Sequence, residues 1–119
     1  CASTITQKAS LLAWTPEAEA AKAEARSIYK KRGEFLVDLF EKELGMRATT
    51  PEGAFYTMLD VREIGDDLEA AEKTLQNRVV TVPGRAFGDE ATGFLRISFC
   101  NTEEKMADGV RRMKEAFGR

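Results

Sequence analysis

The chain has 119 residues, a net charge of −2 and no histidine. This length fits one domain, and the lack of histidine excludes histidine acid–base catalysis, Ser–His triads and most zinc sites. Basic residues are spread along the chain, no apolar run reaches the length of a membrane span, and the two cysteines, Cys1 and Cys100, are too few for a disulfide scaffold. We therefore expect a cytoplasmic protein that binds neither nucleic acid nor membrane.

The beginning of the chain has a helical pattern. Apolar residues recur at helical spacing as far as Trp14, namely Ile5, Ala9, Leu12 and Ala13. Because the chain begins at a cysteine and enters this pattern almost at once, we expect it to be a piece of a longer polypeptide.

A long helix is predicted over residues 15–45. Thr15 is a good N-cap, Pro16 suits the first helical position, and Gly45 is typical of the residue that ends a helix. Gly33 interrupts the pattern at a cost of about 1 kcal/mol, which allows a bend. The predicted inner face is one apolar stripe: Ala18, Ala21, Ala25, Ile28, Phe35 and Leu39.

The hydrophobic period then changes to that of strands. Residues 55–61 alternate as in a half-buried strand, the β-branched residues 79–82 predict a buried strand, and residues 94–99 predict a third. Two further helices are predicted to begin at Asp66 and at Asn101. Their predicted inner stripes are Leu68, Ala71 and Leu75 in the first, and Met106, Val110, Met113 and Phe117 in the second. This order predicts an α+β fold in which a small three-stranded sheet has helices packed on one face and is preceded by a long helix.

The third predicted strand carries the main candidate for a functional residue, Arg96. Leu95 and Ile97 point to one face of the strand, so Arg96 points to the other. A guanidinium keeps its charge, so its burial requires an anion, and its planar fork matches a carboxylate. From spacing alone, three interpretations stay open: a site for a substrate carboxylate, an ion pair with an acid of this chain, or a sheet face in contact with water.

Other chemistry-bearing residues are weaker candidates. None of the lysines lies in an apolar motif that would make it a nucleophile. Cys100 follows an apolar strand and is predicted to be a packing residue. Capping explains the acids at the ends of elements: Asp60, Asp66 and Asp67.

Two turn-rich segments are rich in glycine. In the segment 82–88, Gly84 and Gly88 predict positive φ or a close approach of the backbone, and in the segment 51–56, Gly53 predicts the same. Either segment can be a tight connection or part of a site.

Three motifs, in order, resemble a known family. They are Pro51-x-Gly53-Ala54-Phe55-Tyr56, Val80-x-Val82-Pro83-Gly84-x-Ala86-Phe87-Gly88 and Gly93-Phe94-Leu95-Arg96-Ile97-Ser98-Phe99. Over residues 50–117 the chain is similar to the carboxy-terminal segment of class I/II aminotransferases, the pyridoxal-phosphate enzymes of fold type I. The resemblance implies a helical remnant of the preceding domain at 1–14, a long connecting helix at 15–45 and an α+β small domain at 46–119.

The resemblance also implies a role for Arg96. In the family, the arginine of this strand grips the substrate α-carboxylate. The complete enzyme, a homodimer, uses pyridoxal phosphate to transfer an amino group between an amino acid and a 2-oxo acid. The lysine that carries the cofactor and the groups that hold it lie in the large domain, whose motifs have no match in this chain. We therefore expect this chain alone to bind no cofactor and to be inactive.

Other functions stay open at this point. A related lyase or synthase could use the same cofactor and the same arginine. A stand-alone α+β module that binds an amino acid or another carboxylate, or that regulates a partner, could also use Arg96, and a purely structural interaction domain is a third class. An exposed apolar stripe along residues 18–40 would favour the enzyme piece, because that surface would face a missing domain.

Overall fold

The computed structural model describes residues 1–119. It contains four α-helices and three strands. In chain order these are α1 (Thr4–Ser10), α2 (Pro16–Leu44), β1 (Tyr56–Asp60), α3 (Asp67–Gln76), β2 (Val82–Pro83), β3 (Phe94–Ser98) and α4 (Glu103–Phe117). Short 3₁₀ turns occupy Leu11–Trp14, Gly84–Phe87 and Asp89–Ala91. None of the helices combines the length and the apolar character that a membrane crossing requires.

The three strands form one antiparallel sheet in the order β1-β3-β2. Arg96 in the middle strand pairs with Met58 on one side and Val82 on the other, and Leu95 pairs with Leu59. Partners in an antiparallel ladder share a face, so Leu59 and Leu95 lie on the opposite face from Arg96.

The helices cover only the face of Leu59 and Leu95. Both of these side chains are fully buried, and they belong to a single core with residues of α2, α3 and α4. Its members are Leu36, Phe40, Leu44, Met46, Leu59, Val61, Ala70, Leu95, Phe99, Met106, Val110 and Met113. The α+β class, with helices on one face of a three-stranded sheet, is therefore confirmed.

Helix α2 has the predicted ends but a different inner face. Thr15 accepts a hydrogen bond from the Ala18 backbone N–H, and Gly45 ends the helix at φ 63°. The fully buried residues are Gly33, Leu36, Phe40 and Leu44, whereas the predicted Phe35 and Leu39 are only half-buried.

Gly33 accounts for the shift of the inner face. A Cβ at this position would lie 2.8 Å from Pro51 Cγ and 3.3 Å from Phe99 Cζ, so the helix touches its neighbours here. Leu36, Phe40 and Leu44 follow Gly33 at helical spacing on that face. No residue of α2 before Gly33 is buried, and Ile28 is 41% exposed.

Helix α3 also buries a different face from the one predicted. Asp66 is the N-cap, as expected, and accepts a hydrogen bond from Leu68 N–H. The buried residues are Asp67, Ala70 and Thr74, while Leu68 and Leu75 are about half exposed. The predicted inner stripe was wrong because the buried Asp67 and Thr74 have polar partners, Arg85 and Thr81, that the local pattern does not show.

Two element boundaries differ from prediction for local reasons. The strand predicted over 79–82 is reduced to Val82–Pro83, and Val80 is 80% exposed. The backbone N–H of Val79 donates a hydrogen bond to the Thr74 carbonyl near the end of α3, so this segment is not free to join the sheet.

Helix α4 is capped by Thr102, which accepts a hydrogen bond from Lys105 N–H, and not by Asn101. The inner stripe of α4 is confirmed: its three predicted members before Phe117 are buried and Phe117 is half-buried.

Candidate functional site

The candidate site lies around Arg96 on the face of the sheet that the helices leave uncovered. Arg96 is half-buried, with Leu95 buried on the helix side, so the alternation predicted for β3 is confirmed. Its position in the central strand places β1 on one side and β2 with the following 3₁₀ turn on the other.

Two aromatic rings contact the Arg96 guanidinium. Its Cζ lies 4.3 Å from the centroid of the Tyr56 ring on β1 and 4.2 Å from the centroid of the Phe87 ring in the turn after β2. Both distances fall within the range of cation–π attraction. An aromatic ring does not use up the N–H donors, so the N–H groups of the guanidinium are left to bind a partner.

Arg96 has no carboxylate partner within the chain. None of the ion pairs in the structure includes it. The acid on the same sheet face, Asp60, is held by Arg62 Nε at 2.9 Å and Nη2 at 2.5 Å. These hydrogen bonds lower the pKa of Asp60. The interpretation of Arg96 as half of an internal ion pair is therefore wrong.

Arg85, in the neighbouring turn, does pair with carboxylates of the chain, namely Asp66 and Asp67. Its backbone N–H donates to Asp67 Oδ2 at 2.9 Å and its Nε to Asp67 Oδ1 at 2.7 Å, while Nη2 donates to both Asp66 and Asp67. The Asp67 side chain has no exposed surface. Hydrogen bonds from Arg85 hold the pKa of both carboxyls below the usual range.

The role of Asp67 was missed in the sequence. Capping was expected for it, and only Asp66 performs that role. Arg85 is distant from Asp67 along the chain, and no local motif links a helix-start acid to an arginine in a later turn. No signal in a single sequence could have identified this pair.

Glycines shape the turn that carries Arg85 and Phe87. A Cβ on Gly84 would lie 1.8 Å from the Ala91 carbonyl oxygen and 2.8 Å from that of Phe94, so only glycine fits. Gly88 has φ 119°, a conformation that side chains rarely adopt. The expectations for these two glycines are confirmed.

The segment before β1 departs from prediction. Gly53 has open space around it, and it is Ala54 that adopts a positive φ, 57°. The segment leads into an aromatic pair, since the ring centroids of Phe55 and Tyr56 lie 4.2 Å apart. Tyr56 in turn contacts Arg96, so this segment does border the candidate site.

The remaining candidates do not assemble into a second centre. No lysine is buried, and no group of three or more cysteines and acids is placed to hold a metal ion. Cys100 is exposed, not packed, because Phe99 points into the core and the next side chain points outward. The one arrangement with a defined chemical capacity is a half-buried guanidinium whose N–H edges can hold a planar anion.

Comparisons with known proteins identify the family. A family model described as aminotransferase class I and II matches residues 1–113. The chain is 38% identical over 119 residues to an aspartate/prephenate aminotransferase of Thermus thermophilus, covering 98% of this chain and 30% of that protein. It is 39% identical over 98 residues to a probable aspartate/prephenate aminotransferase of Aquifex aeolicus, covering 78% and 24% respectively.

Solved structures show the same likeness. The Thermus thermophilus aspartate aminotransferase with maleate superposes with a TM-score of 0.85 at 34% identity, covering 95% of this chain and 30% of that one. An aromatic aminotransferase of Pyrococcus horikoshii gives 0.81 at 29% identity, covering 88% and 28%. The chain therefore belongs to the class I and II aminotransferase family. It spans less than a third of the length of these relatives.

Proposed function

We propose that this chain is the small domain of a pyridoxal-phosphate-dependent aminotransferase and that Arg96 binds the α-carboxylate of its substrate. In this proposal residues 1–14 belong to the preceding domain, residues 15–45 connect the two domains, and residues 46–119 form the small domain. The complete enzyme exchanges an amino group between an amino acid and a 2-oxo acid. Relatives in the comparison are named for aspartate, so aspartate is the first amino donor to test.

The observation that carries the proposal is the state of Arg96. It is half-buried, it contacts the rings of Tyr56 and Phe87, and no carboxylate of the chain pairs with it. A substrate carboxylate would accept two parallel hydrogen bonds from the guanidinium edge. This contact would fix the orientation of the substrate, including its Cα–H bond, without any transfer of a proton by Arg96.

The cofactor requires residues beyond those described. Pyridoxal phosphate withdraws electrons from the bond that breaks at the substrate Cα. Covalent attachment needs a desolvated lysine, and the lysines of this chain are all exposed or half-exposed. The residues present thus do not fit the cofactor, and in our proposal the large domain of the complete enzyme holds it.

Exposed apolar surface at the start of the chain supports the proposal that another domain packs against it. The half of α2 before Gly33 buries no residue, and α1 buries none. Trp14 is 79% exposed and Leu11 is 71% exposed. Apolar surface of this kind is typical of a region that another domain covers. The resemblance to the family implies a homodimer, and we propose that the complete enzyme is one.

The role of Arg96 is tested by Arg96→Lys in the complete enzyme. A lysine keeps the charge but loses the two-pronged fork, so we expect KM for the amino acid to rise by at least about 100-fold and kcat to change much less. Arg111→Lys is the matched control, because Arg111 lies on the exposed face of α4 in ion pairs with Asp108 and Glu115. Unchanged KM in Arg96→Lys would contradict the proposal.

The inactivity of this chain alone has a separate test. Pyridoxal phosphate is added to the purified 119-residue chain, and the absorption spectrum and the mass of the protein are measured after reduction with borohydride. We expect no stoichiometric attachment to any one lysine. Attachment of one cofactor molecule to a single lysine would contradict this part of the proposal and would favour a stand-alone module.

A further inference from the structure

We propose that Asp67 is a positioning residue for the carboxylate site: through Arg85 it anchors the segment 84–88 and so holds Phe87 against Arg96. This inference rests on the proposed function of Arg96. Asp67 acts through Arg85 and Phe87 and is not itself a ligand of the substrate.

The first step is the anchor between Asp67 and Arg85. The carboxylate of Asp67 is fully buried in the first turn of α3 and accepts hydrogen bonds from the backbone N–H, Nε and Nη2 of Arg85. One carboxylate therefore fixes both the main chain and the side chain of the same residue. Nε and Nη2 both donate to Oδ1 while the backbone N–H donates to Oδ2, and charge-assisted hydrogen bonds are stronger than neutral ones.

The second step links Arg85 to Phe87. Both residues lie in the 3₁₀ turn Gly84–Phe87. The turn is held at its start, where Gly84 packs against the carbonyl oxygens of Ala91 and Phe94. It is held at its second residue by Asp67, and it closes where Gly88 N–H donates to the Arg85 carbonyl at 3.4 Å. The position of Phe87 follows from the position of this turn.

The third step links Phe87 to Arg96. Phe87 is 48% exposed, so packing in the core does not hold its ring. The ring nevertheless lies 4.2 Å from the Arg96 guanidinium. An arginine side chain has many rotamers, and restricting them before the ligand arrives lowers the entropy lost on binding. The anchor on Asp67 thereby orients Arg96 toward the carboxylate.

Asp67→Asn in the holoenzyme tests the inference. Asparagine keeps an acceptor for the Arg85 backbone N–H but removes the charge that holds the fork. We expect KM for the amino acid and the calorimetric Kd of maleate to rise by about 10-fold, the equivalent of a lost cation–π contact in a desolvated site, with kcat little changed. The matched control is Asp108→Asn, which removes an exposed carboxylate paired with Arg111 and Arg112 on α4, and we expect it to change neither quantity.

A double-mutant cycle with Phe87→Leu separates positioning from a merely structural role. Phe87→Leu alone is expected to raise the same KM and Kd. Because the Phe87 side chain is half exposed, we expect this variant to fold. If Asp67 acts through Phe87, Asp67→Asn adds little in the Phe87→Leu background. A structural role would lower the folded fraction, and hence the apparent kcat, without changing the Kd of the folded molecules. If Asp67→Asn does not fold, Arg85→Lys takes its place in the cycle, because it keeps the ion pair and loses the fork.

The outcomes separate this inference from the proposed function. Unchanged KM and Kd in Arg96→Lys overturn both. A large effect of Arg96→Lys together with unchanged Kd in Asp67→Asn, or with fully additive effects of Asp67→Asn and Phe87→Leu, overturns the inference alone. A large effect of Arg96→Lys together with non-additive increases in the other two variants is the expected result.

Discussion

Arg85 and Arg96 carry the same side chain in adjoining parts of the structure, yet their surroundings differ. The fork of Arg85 is filled by the carboxylates of Asp66 and Asp67 at the start of α3. The guanidinium of Arg96 contacts the rings of Tyr56 and Phe87, and its fork pairs with no carboxylate of the chain. Because a guanidinium keeps its charge, we propose that the anion of Arg96 comes from the substrate and not from the chain.

In our proposal, one residue type serves structure in one place and ligand binding in another. Arg85 closes a contact between two elements of the fold, and its anion is part of the folded chain. Arg96 contacts two aromatic rings and has no anion within the chain. The loss of Arg85 should therefore affect stability first, and the loss of Arg96 should affect ligand binding first.

The largest effect is expected from Gly84→Ala, because the added methyl group would displace the 3₁₀ turn that carries Arg85 and Phe87. An added Cβ would lie 1.8 Å from the Ala91 carbonyl oxygen, which the backbone cannot accommodate without moving. We expect the free energy of unfolding to fall by more than about 3 kcal/mol, as measured by urea denaturation. Gly109→Ala is the control, since Gly109 lies within α4 with open space around it, and there we expect a gain of up to about 1 kcal/mol. Equal stability of the two variants would contradict this account.

A direct comparison of Arg85→Met with Arg96→Met should give the next largest difference. Arg85→Met leaves the fully buried carboxylate of Asp67 without its side-chain donors, which costs about 1–3 kcal/mol of stability. Arg96→Met removes no ion pair, so we expect a change of less than about 1 kcal/mol. The two midpoints in urea are measured at neutral pH and low salt. An Arg96→Met variant that is the less stable of the two would contradict the assignment of structural and binding roles.

The smallest effect is the pH dependence of the stability that the Asp67 carboxylate contributes to the folded chain. Arg85 lowers the pKa of the Asp67 carboxyl in the folded state, so the unfolded state binds the proton more readily. The stabilisation is therefore complete above the unfolded pKa of about 4 and is lost as the pH falls through the folded value. Urea midpoints of the unmodified chain and of Asp67→Asn should converge between pH 5 and pH 2, values that bracket the reference pKa of about 3.9. A stability difference that stays constant over this range would mean that the carboxylate is not held in its charged form by Arg85.

Features with a short sequence period could be predicted. The alternation of apolar residues in β3 placed Arg96 on the opposite face from Leu95, and this is confirmed. Local capping rules likewise identified Thr15, Gly45 and Asp66 at the ends of their helices. These features depend on contacts within a few residues, so the pattern contains the information.

Features that depend on distant contacts could not be predicted. The inner face of α2 is set by the contact of Gly33 with Pro51 and Phe99, and the Asp67–Arg85 pair joins two elements that are far apart in the chain. The rings that border Arg96 come from two different elements. Patterns within a single sequence do not show such long-range contacts, so the sequence identified the candidate residue, Arg96, without its surroundings.

Side-chain NMR distinguishes the fork of Arg85, which is occupied by Asp66 and Asp67, from the fork of Arg96, which is free. The Nε–Hε resonances of the two arginines in the 119-residue chain are assigned from the resonance that disappears in Arg85→Lys and in Arg96→Lys. Millimolar acetate is then added to the unmodified chain. We expect the Arg96 resonance to shift with acetate, while the Arg85 resonance stays in place and exchanges slowly with solvent. An Arg96 resonance that does not respond to acetate, or an Arg85 resonance that responds equally, would contradict the account.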